Sequence, residues 1–272
     1  TIIGLGAIDN FSLNEDANNG IDDLATLSRN QYILDNIPVN DQWNYTIGGR
    51  YRYFIPKGGF HTLILSRNHL NNMAVKYDDN IEISDNLILD YSSQEIENKF
   101  RYEYTTKKWD WDINMGFGID YIKYLNSTYN RISLPNGELN TIDFNSDLDF
   151  FKTAFFTQFN NQLFNDRFMF SLGLRTDFNN YDQSMSNLIN QFSPRLSLSY
   201  YLTPNLKYSI NTGVYYQLPP YTVMGYREDG VLKNQKNGLK YSVFARHDES
   251  LFNGSSSAET SSHTNTSASL TT

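Results

Sequence analysis

Several groups of side chains in this sequence have types that could do chemistry, and their spacing argues against each in turn. Asp110 and Asp112 are two apart, so on a strand they are same-face neighbours lining a wet surface, with nothing nearby to shift one carboxyl from the other. Asp78-Asp79-Asn80-Ile81-Glu82 offers oxygen ligands to Ca²⁺ but lacks the glycine of a known calcium loop, so it reads as a solvated connection. His61, His69, His247 and His263 have no ligand spacing for zinc, and the chain has no cysteine. Gly4-x-Gly6 and Gly116-x-Gly118 lack the third glycine and the following helix of a phosphate loop. No nucleophile stands at a workable distance from a base. No metal, no cofactor and no catalytic residue is expected, and the chain does not read as an enzyme.

The elements that carry these residues are more informative. Composition is unusual: 20 Tyr, 18 Phe and 3 Trp in 272 residues, with a mean hydropathy of −0.53. No apolar run approaches the ~18 residues of a membrane helix. The net charge of −8 argues against a nucleic-acid partner, since phosphate binding needs concentrated Lys and Arg. Between 109 and 121 every odd position is apolar or aromatic (Trp109, Trp111, Ile113, Met115, Phe117, Ile119, Tyr121). The even positions are Asp110, Asp112, Asn114, Gly116, Gly118 and Asp120. That is period-2 alternation over a length far beyond the ~5–6 residues of an average soluble strand. Segments 43–53, 95–104, 167–178, 192–200 and 206–216 alternate likewise, and Thr1–Ile8 also reads as a strand. Segments 60–66 and 148–159 carry Phe or Leu on both faces and are weaker strands.

Connections separate a barrel from a sandwich. Short links are expected at 54–59, 105–108, 160–166 and 201–205, and long ones at 9–42, 67–94, 122–147, 179–191 and beyond 217. Strict alternation of short turns and long loops is the signature of an up-and-down membrane barrel. A sandwich has no reason to put all long connections at one end. The expected fold is therefore all-β, an antiparallel transmembrane barrel wall.

The stretch Phe192–Tyr221, FSPRLSLSYYLTPNLKYSINTGVYYQLPPY, resembles TonB-dependent outer-membrane receptors. A Pro-Arg pair opens a strand, a Thr-Pro-Asn turn follows, and a Gly-containing return strand leaves through an aromatic-Gln-x-Pro exit. Gly4–Asn14 and Ile33–Gly48 are similar to the same receptors' barrel walls, so the resemblance covers roughly residues 1–240. It implies a cell outer-membrane location and a barrel of about 22 strands filled by an N-terminal plug, with a short box contacted by TonB. It also implies uptake of an extracellular ligand of unknown identity, with outer-membrane lipid around the wall. Neither plug nor box is legible in this chain. About nine strands are, so an open sheet is expected, cut from a larger barrel. Passive diffusion through a porin, or an adhesin barrel, is the alternative. Asn126-Ser127-Thr128 then reads as a chance match to a glycosylation sequon.

Within that frame, Tyr215, Tyr216, Gln217 and Tyr221, with Pro219 and Pro220, fit two roles: ligand contact at the barrel rim, or membrane-interface aromatics, the second slightly better. Trp43, Tyr45, Trp109 and Trp111 lie near strand ends and are the expected interface girdle. Gly116 and Gly118 fall on the polar face, where a plug or loop backbone is expected to approach. The barrel wall is expected over 1–241. Positions 242–272 are expected to form a Ser/Thr-rich tail outside it, because 12 of the 19 residues from 254 onward are Ser or Thr and cannot bury a core. A frame change, a gene fragment or a genuine tail would each produce it.

Overall fold

The computed structural model describes residues 1–56, 58–204 and 206–234, and the backbone of 240–251. Its strands are β1 (Ile2–Phe11), β2 (Val39–Phe54), β3 (Phe60–Tyr77), β4 (Leu87–Lys108), β5 (Trp111–Ser133), β6 (Leu139–Leu163), β7 (Phe168–Asn179), β8 (Phe192–Thr203), β9 (Leu206–Gln217), the short pair β10 (Arg227–Glu228) and β11 (Val231–Leu232), and β12 (Lys240–Leu251). Helix α1 spans Leu24–Asn36 and α2 Tyr221–Met224. Strands β1 to β9 lie in chain order, each antiparallel to the next, and β12 continues the sheet beyond β9. Order 1 to 9 without a crossover is the up-and-down meander that the alternation predicts. Among the described residues β1 pairs only with β2 and β12 only with β9, so the sheet is open. β12 covers residues 240–251, some of which the low-complexity argument set outside the wall; the Ser/Thr-rich stretch from 254 lies outside the described residues.

All nine expected strands are present, but several are longer than the sequence shows. β4, β5 and β6 run for 22, 23 and 25 residues. The long connections expected at 67–94 and 122–147 shrink to 78–86 and 134–138. The second is no longer than the turn at 55–59, so the strict short–long alternation does not hold. The first long connection, in turn, contains a 13-residue helix, α1, whose N-terminus is capped by the Asp23 carboxylate accepting from the Thr26 amide at 2.9 Å. The expected turn at 105–108 lies at Trp109-Asp110 instead. Both residues take positive φ (51° and 64°), and Lys108 pairs with Trp111, as in a two-residue hairpin. Trp109 keeps the apolar parity of the strand while sitting in the turn, which is why parity alone misplaced the boundary.

The two faces differ sharply. One is bare: Leu65 is 62% exposed, Phe151 51% and Phe155 46%, with no core against them. On β5 this face carries Trp111, Met115, Phe117, Ile119 and Tyr121. It is bounded by aromatic contacts at both ends. Trp111 meets Phe170 edge-on at 5.8 Å near the tight turns, and Tyr121 meets Phe151 at 5.0 Å toward the other end. Tyr121 lies ten positions beyond Trp111, about 33 Å of strand. At a tilt of about 45° that spans close to the ~25 Å apolar band of an outer-membrane barrel. Beyond Tyr121 the bare face turns polar, with Lys123 and Arg131 on β5 and Asp143, Asp147 and Asp149 on β6. Lys123 pairs with Asp147 at 3.6 Å.

The opposite, inner face inverts this profile. Where the bare face becomes polar, the inner face gains an apolar cluster of Ile122, Tyr124, Leu148 and Phe150, covered by Tyr181, Met185 and Met224 from the connecting segments. At this level the inner face is therefore apolar. The inversion also explains why 148–159 looked two-faced: Leu148 and Phe150 pack inward, whereas Phe151 and Phe155 face out.

A face-by-face test follows. Phe117→Arg puts a charge in the middle of the bare band, where it should destabilise the protein folded in lipid vesicles by about 2–4 kcal/mol. Asp112→Arg on the inner face should cost well under half of that in the same denaturant titration. Equal losses would mean that the bare face does not meet lipid.

Candidate functional site

The site begins with what holds the connecting segments against the wall. After β9 the chain turns through Leu218-Pro219-Pro220 into α2, the Pro220 carbonyl accepting from the Val223 and Met224 amides at 3.0 and 3.1 Å. The Tyr221 hydroxyl then reaches across the sheet and donates to Glu97 Oε1 on β4. The Tyr221 ring stands near Tyr124 and Phe150, and the Tyr181 hydroxyl donates to the Met224 carbonyl at 2.7 Å. Burial, then the bond to Glu97, pushes the Tyr221 phenol well above its usual value, so the donor keeps its proton. Gly225 makes the close approach possible. A Cβ there would stand 2.8 Å from Tyr124 Cε1 and 2.9 Å from Ser146 Oγ.

Below this strap the inner wall is charged. Lys99 pairs with Glu97 at 2.5 Å, Arg101 with Glu103 at 2.5 Å, and Arg175 with Asp177 through two nitrogens at 2.6 and 2.7 Å. Each pair joins residues two apart on one strand, which strand geometry places on the same face. Arg195 pairs with no carboxylate among the described residues. Its guanidinium lies over the Tyr215 ring at 4.5 Å, and its cross-strand neighbours are Gly173 and Gly213. A Cβ on Gly213 would meet the Arg195 side chain at 3.1 Å, so the glycine leaves the room in which the arginine lies flat.

Two adjoining recesses result. One, of about 430 Å³, is roofed by Leu218, Pro219, Pro220 and Tyr221 and walled by Glu95, Lys152, Arg175, Asp177, Gln191 and Arg195. The other, of about 320 Å³, shares Arg175 and Arg195 and adds Arg101, Ser197, Asn211 and Tyr215. The apolar crevices around Phe117 and Phe100 belong to the bare face, between the rings of the apolar band. Among the described residues no cluster of His, Asp or Glu could hold a metal.

Of the rim residues read from the sequence, Tyr216, Gln217 and Tyr221 line the larger recess and Tyr215 the smaller. Trp43 and Tyr45 stack on the bare face at 6.2 Å with His69 against both rings, while Trp109 is 82% exposed in its turn under the Lys108 ammonium. Gly116 is filled by neighbours: a Cβ there would strike the Tyr102 carbonyl and the Phe156 ring. The space beside that glycine is taken by cross-strand packing. Sequence reasoning missed Lys152, Gln191 and Arg195. Arg195 was visible only as half of a Pro-Arg pair, and Gln191 lay in a link without periodicity.

The family model described as TonB dependent receptor-like, beta-barrel matches residues 56–258. The chain belongs to this family. Its sheet is similar to solved TonB-dependent receptors. They include the copper transporter OprC (TM-score 0.56, 11% identity, 79% of this chain and 37% of that one). A mutant of the ferric enterobactin receptor PfeA of Pseudomonas aeruginosa, with enterobactin bound, gives 0.56, 15%, 79% and 33%. FpvA of P. aeruginosa with a bound ferric pyoverdine gives 0.55, 12%, 78% and 30%. At these identities the likeness shows the fold alone: an antiparallel transmembrane barrel wall. The chain spans about a third of each structure's length. No curated protein sequence matches it. In a receptor barrel the bare face is the lipid face and the strap side is the lumen.

The strap's hold on the wall can be measured by amide hydrogen exchange over 218–232. Tyr221→Phe removes one bond to a charged acceptor and should lower the opening free energy by about 1.5–3 kcal/mol. Gly225→Ala should release the segment further. Because the folded-state phenol titrates above the ordinary value of 10.0, the latch should hold unchanged from neutral pH up to that value and weaken above it. Unaltered exchange in both variants would show that the strap is not held by these contacts.

Proposed function

We propose that the chain forms part of the wall of an outer-membrane receptor that takes up a scarce extracellular ligand, energised through TonB. The observation that supports this reading is the strap side of the wall, where the segments after β7 and β9 fold over a charged, recessed face. Tyr215, Tyr216, Gln217 and Tyr221 are the ligand-facing residues of this proposal. Trp43, Tyr45, Trp109 and Trp111 anchor the wall at the two lipid interfaces. The relatives of known structure bind copper or ferric chelates, so a metal or metal chelate is the ligand class to test first. The protein does no covalent chemistry in this scheme. Differential binding selects the ligand, and the energy for uptake comes from the partner.

The test compares cells with and without the protein for uptake of radioactive iron supplied with a siderophore panel, and of copper, before and after collapse of the proton-motive force. Uptake should depend on the protein and stop on collapse. Uptake that needs the protein but survives collapse would replace this reading with passive diffusion. Recovery of the protein in the soluble periplasmic fraction would sink the membrane location.

A further inference from the structure

We infer that the recess beneath the Leu218–Tyr221 strap is a binding site for a small solute bearing an oxyanion, a carboxylate or a phosphate. Three cations line it, Lys152, Arg175 and Arg195, against two carboxylates, Glu95 and Asp177, leaving an excess of one positive charge. Asp177 is already used by Arg175 in the bidentate pair. Among the described residues neither Lys152 nor Arg195 has a carboxylate within salt-bridge distance. Arg195 is instead splayed over Tyr215 and bonded only weakly, Nε to Ser193 Oγ at 3.4 Å. A second observation points the same way. Gln191 is 4% exposed, lines the recess, and its amide nitrogen has no acceptor. A buried donor without a partner costs about 1–3 kcal/mol, which an incoming acceptor recovers.

The donor set defines the ligand. Arg195, Lys152 (whose cross-strand neighbour Asp120 lies beyond salt-bridge distance) and an amide N–H all donate, and a negative charge offsets the excess among the lining residues. A planar guanidinium matches the paired oxygens of a carboxylate or phosphate. About 430 Å³ suits a small anionic group and its immediate frame. The inference rests on the reading of the strap side as a lumen open to solutes, but not on TonB or on transport.

The test is equilibrium binding of succinate and of inorganic phosphate to the protein in detergent micelles, with uncharged succinamide as the matched control. Succinate or phosphate should bind and succinamide should not. Lys152→Met combined with Arg195→Gln should weaken binding at least about tenfold, whereas Glu95→Gln, which removes a competing carboxylate, should tighten it severalfold. In the unsubstituted protein the bound anion should slow amide exchange in 188–195 and 214–221, a readout that does not depend on any variant folding. Binding of succinate alone assigns a carboxylate ligand, and of phosphate alone a phosphate ligand. Binding of neither anion, equal binding of succinamide, or anion binding that leaves exchange at 188–195 unchanged would overturn the site. Failure here leaves the energised-uptake experiment untouched, because that experiment reads transport and this one reads binding.

Discussion

A backbone amide or carbonyl facing hydrocarbon has no water to pair with, so a chain crossing a bilayer as strands must satisfy every such group from the next strand. That constraint accounts for the ladders inside the apolar band, most plainly β5 with β6, which pair without a break from Asp112 with Asn160 to Tyr121 with Phe151. Ladders this regular put alternate side chains on opposite faces, and only one face can then meet lipid. The apolar band from Trp111 to Tyr121 and the charged wall behind it are two results of one pairing rule. The same rule makes the edges costly. Among the described residues β1 pairs only with β2, and a bare strand edge is costly in lipid.

What was legible in the sequence is what lipid selects. Where hydrocarbon lies against the wall, as at Ile113, Met115, Phe117 and Ile119, alternation is clean and the strand can be read directly. Above Tyr121 both faces of β5 and β6 leave the lipid, and the alternation vanishes while the hydrogen-bonded ladder continues for another ten residues or so on each strand. Lys123, Ser127 and Arg131 look like loop residues for that reason, though they are strand residues. The helix Leu24–Asn36 was hidden differently. Only Leu34 of it is buried, so it shows no apolar stripe, and it is tied down by Lys76 and Asn80 donating to the Leu34 carbonyl.

The inner face was less legible because its chemistry is assembled across strands. Parity showed that Lys99, Arg101 and Arg175 share a face with Glu97, Glu103 and Asp177, and same-strand pairing is a local property. Which cation stays without a carboxylate is not local. It depends on Gly173 and Gly213 arriving on either side of Arg195, and on Tyr215 two residues beyond Gly213 offering a ring in place of a carboxylate. The rim cluster, aromatics with an amide at a strand exit, spans both faces of β9 where the strand ends beside the larger recess. Tyr215 and Gln217 share the inner parity of β9 with Gly213, and Tyr216 has the outer parity of Ile210 and Val214.

The two halves of the lumenal face also depend on each other. An apolar cluster at the level of Ile122 and Phe150 would be a liability on an open wall, and the charged wall beneath it would be fully hydrated. Folding Tyr181, Met185 and Met224 onto the cluster removes apolar area from water, and that burial holds the strap in place. The strap in turn lowers solvent access to the wall under it. An arginine lying against an aromatic ring in a partly dried recess is more weakly screened than the same residue on an open surface. Hydrophobic packing at one level thus sets the strength of the electrostatics at the next. Tyr221 joins them directly, because its ring packs on Phe150 in the cluster and its hydroxyl donates to Glu97 in the charged wall.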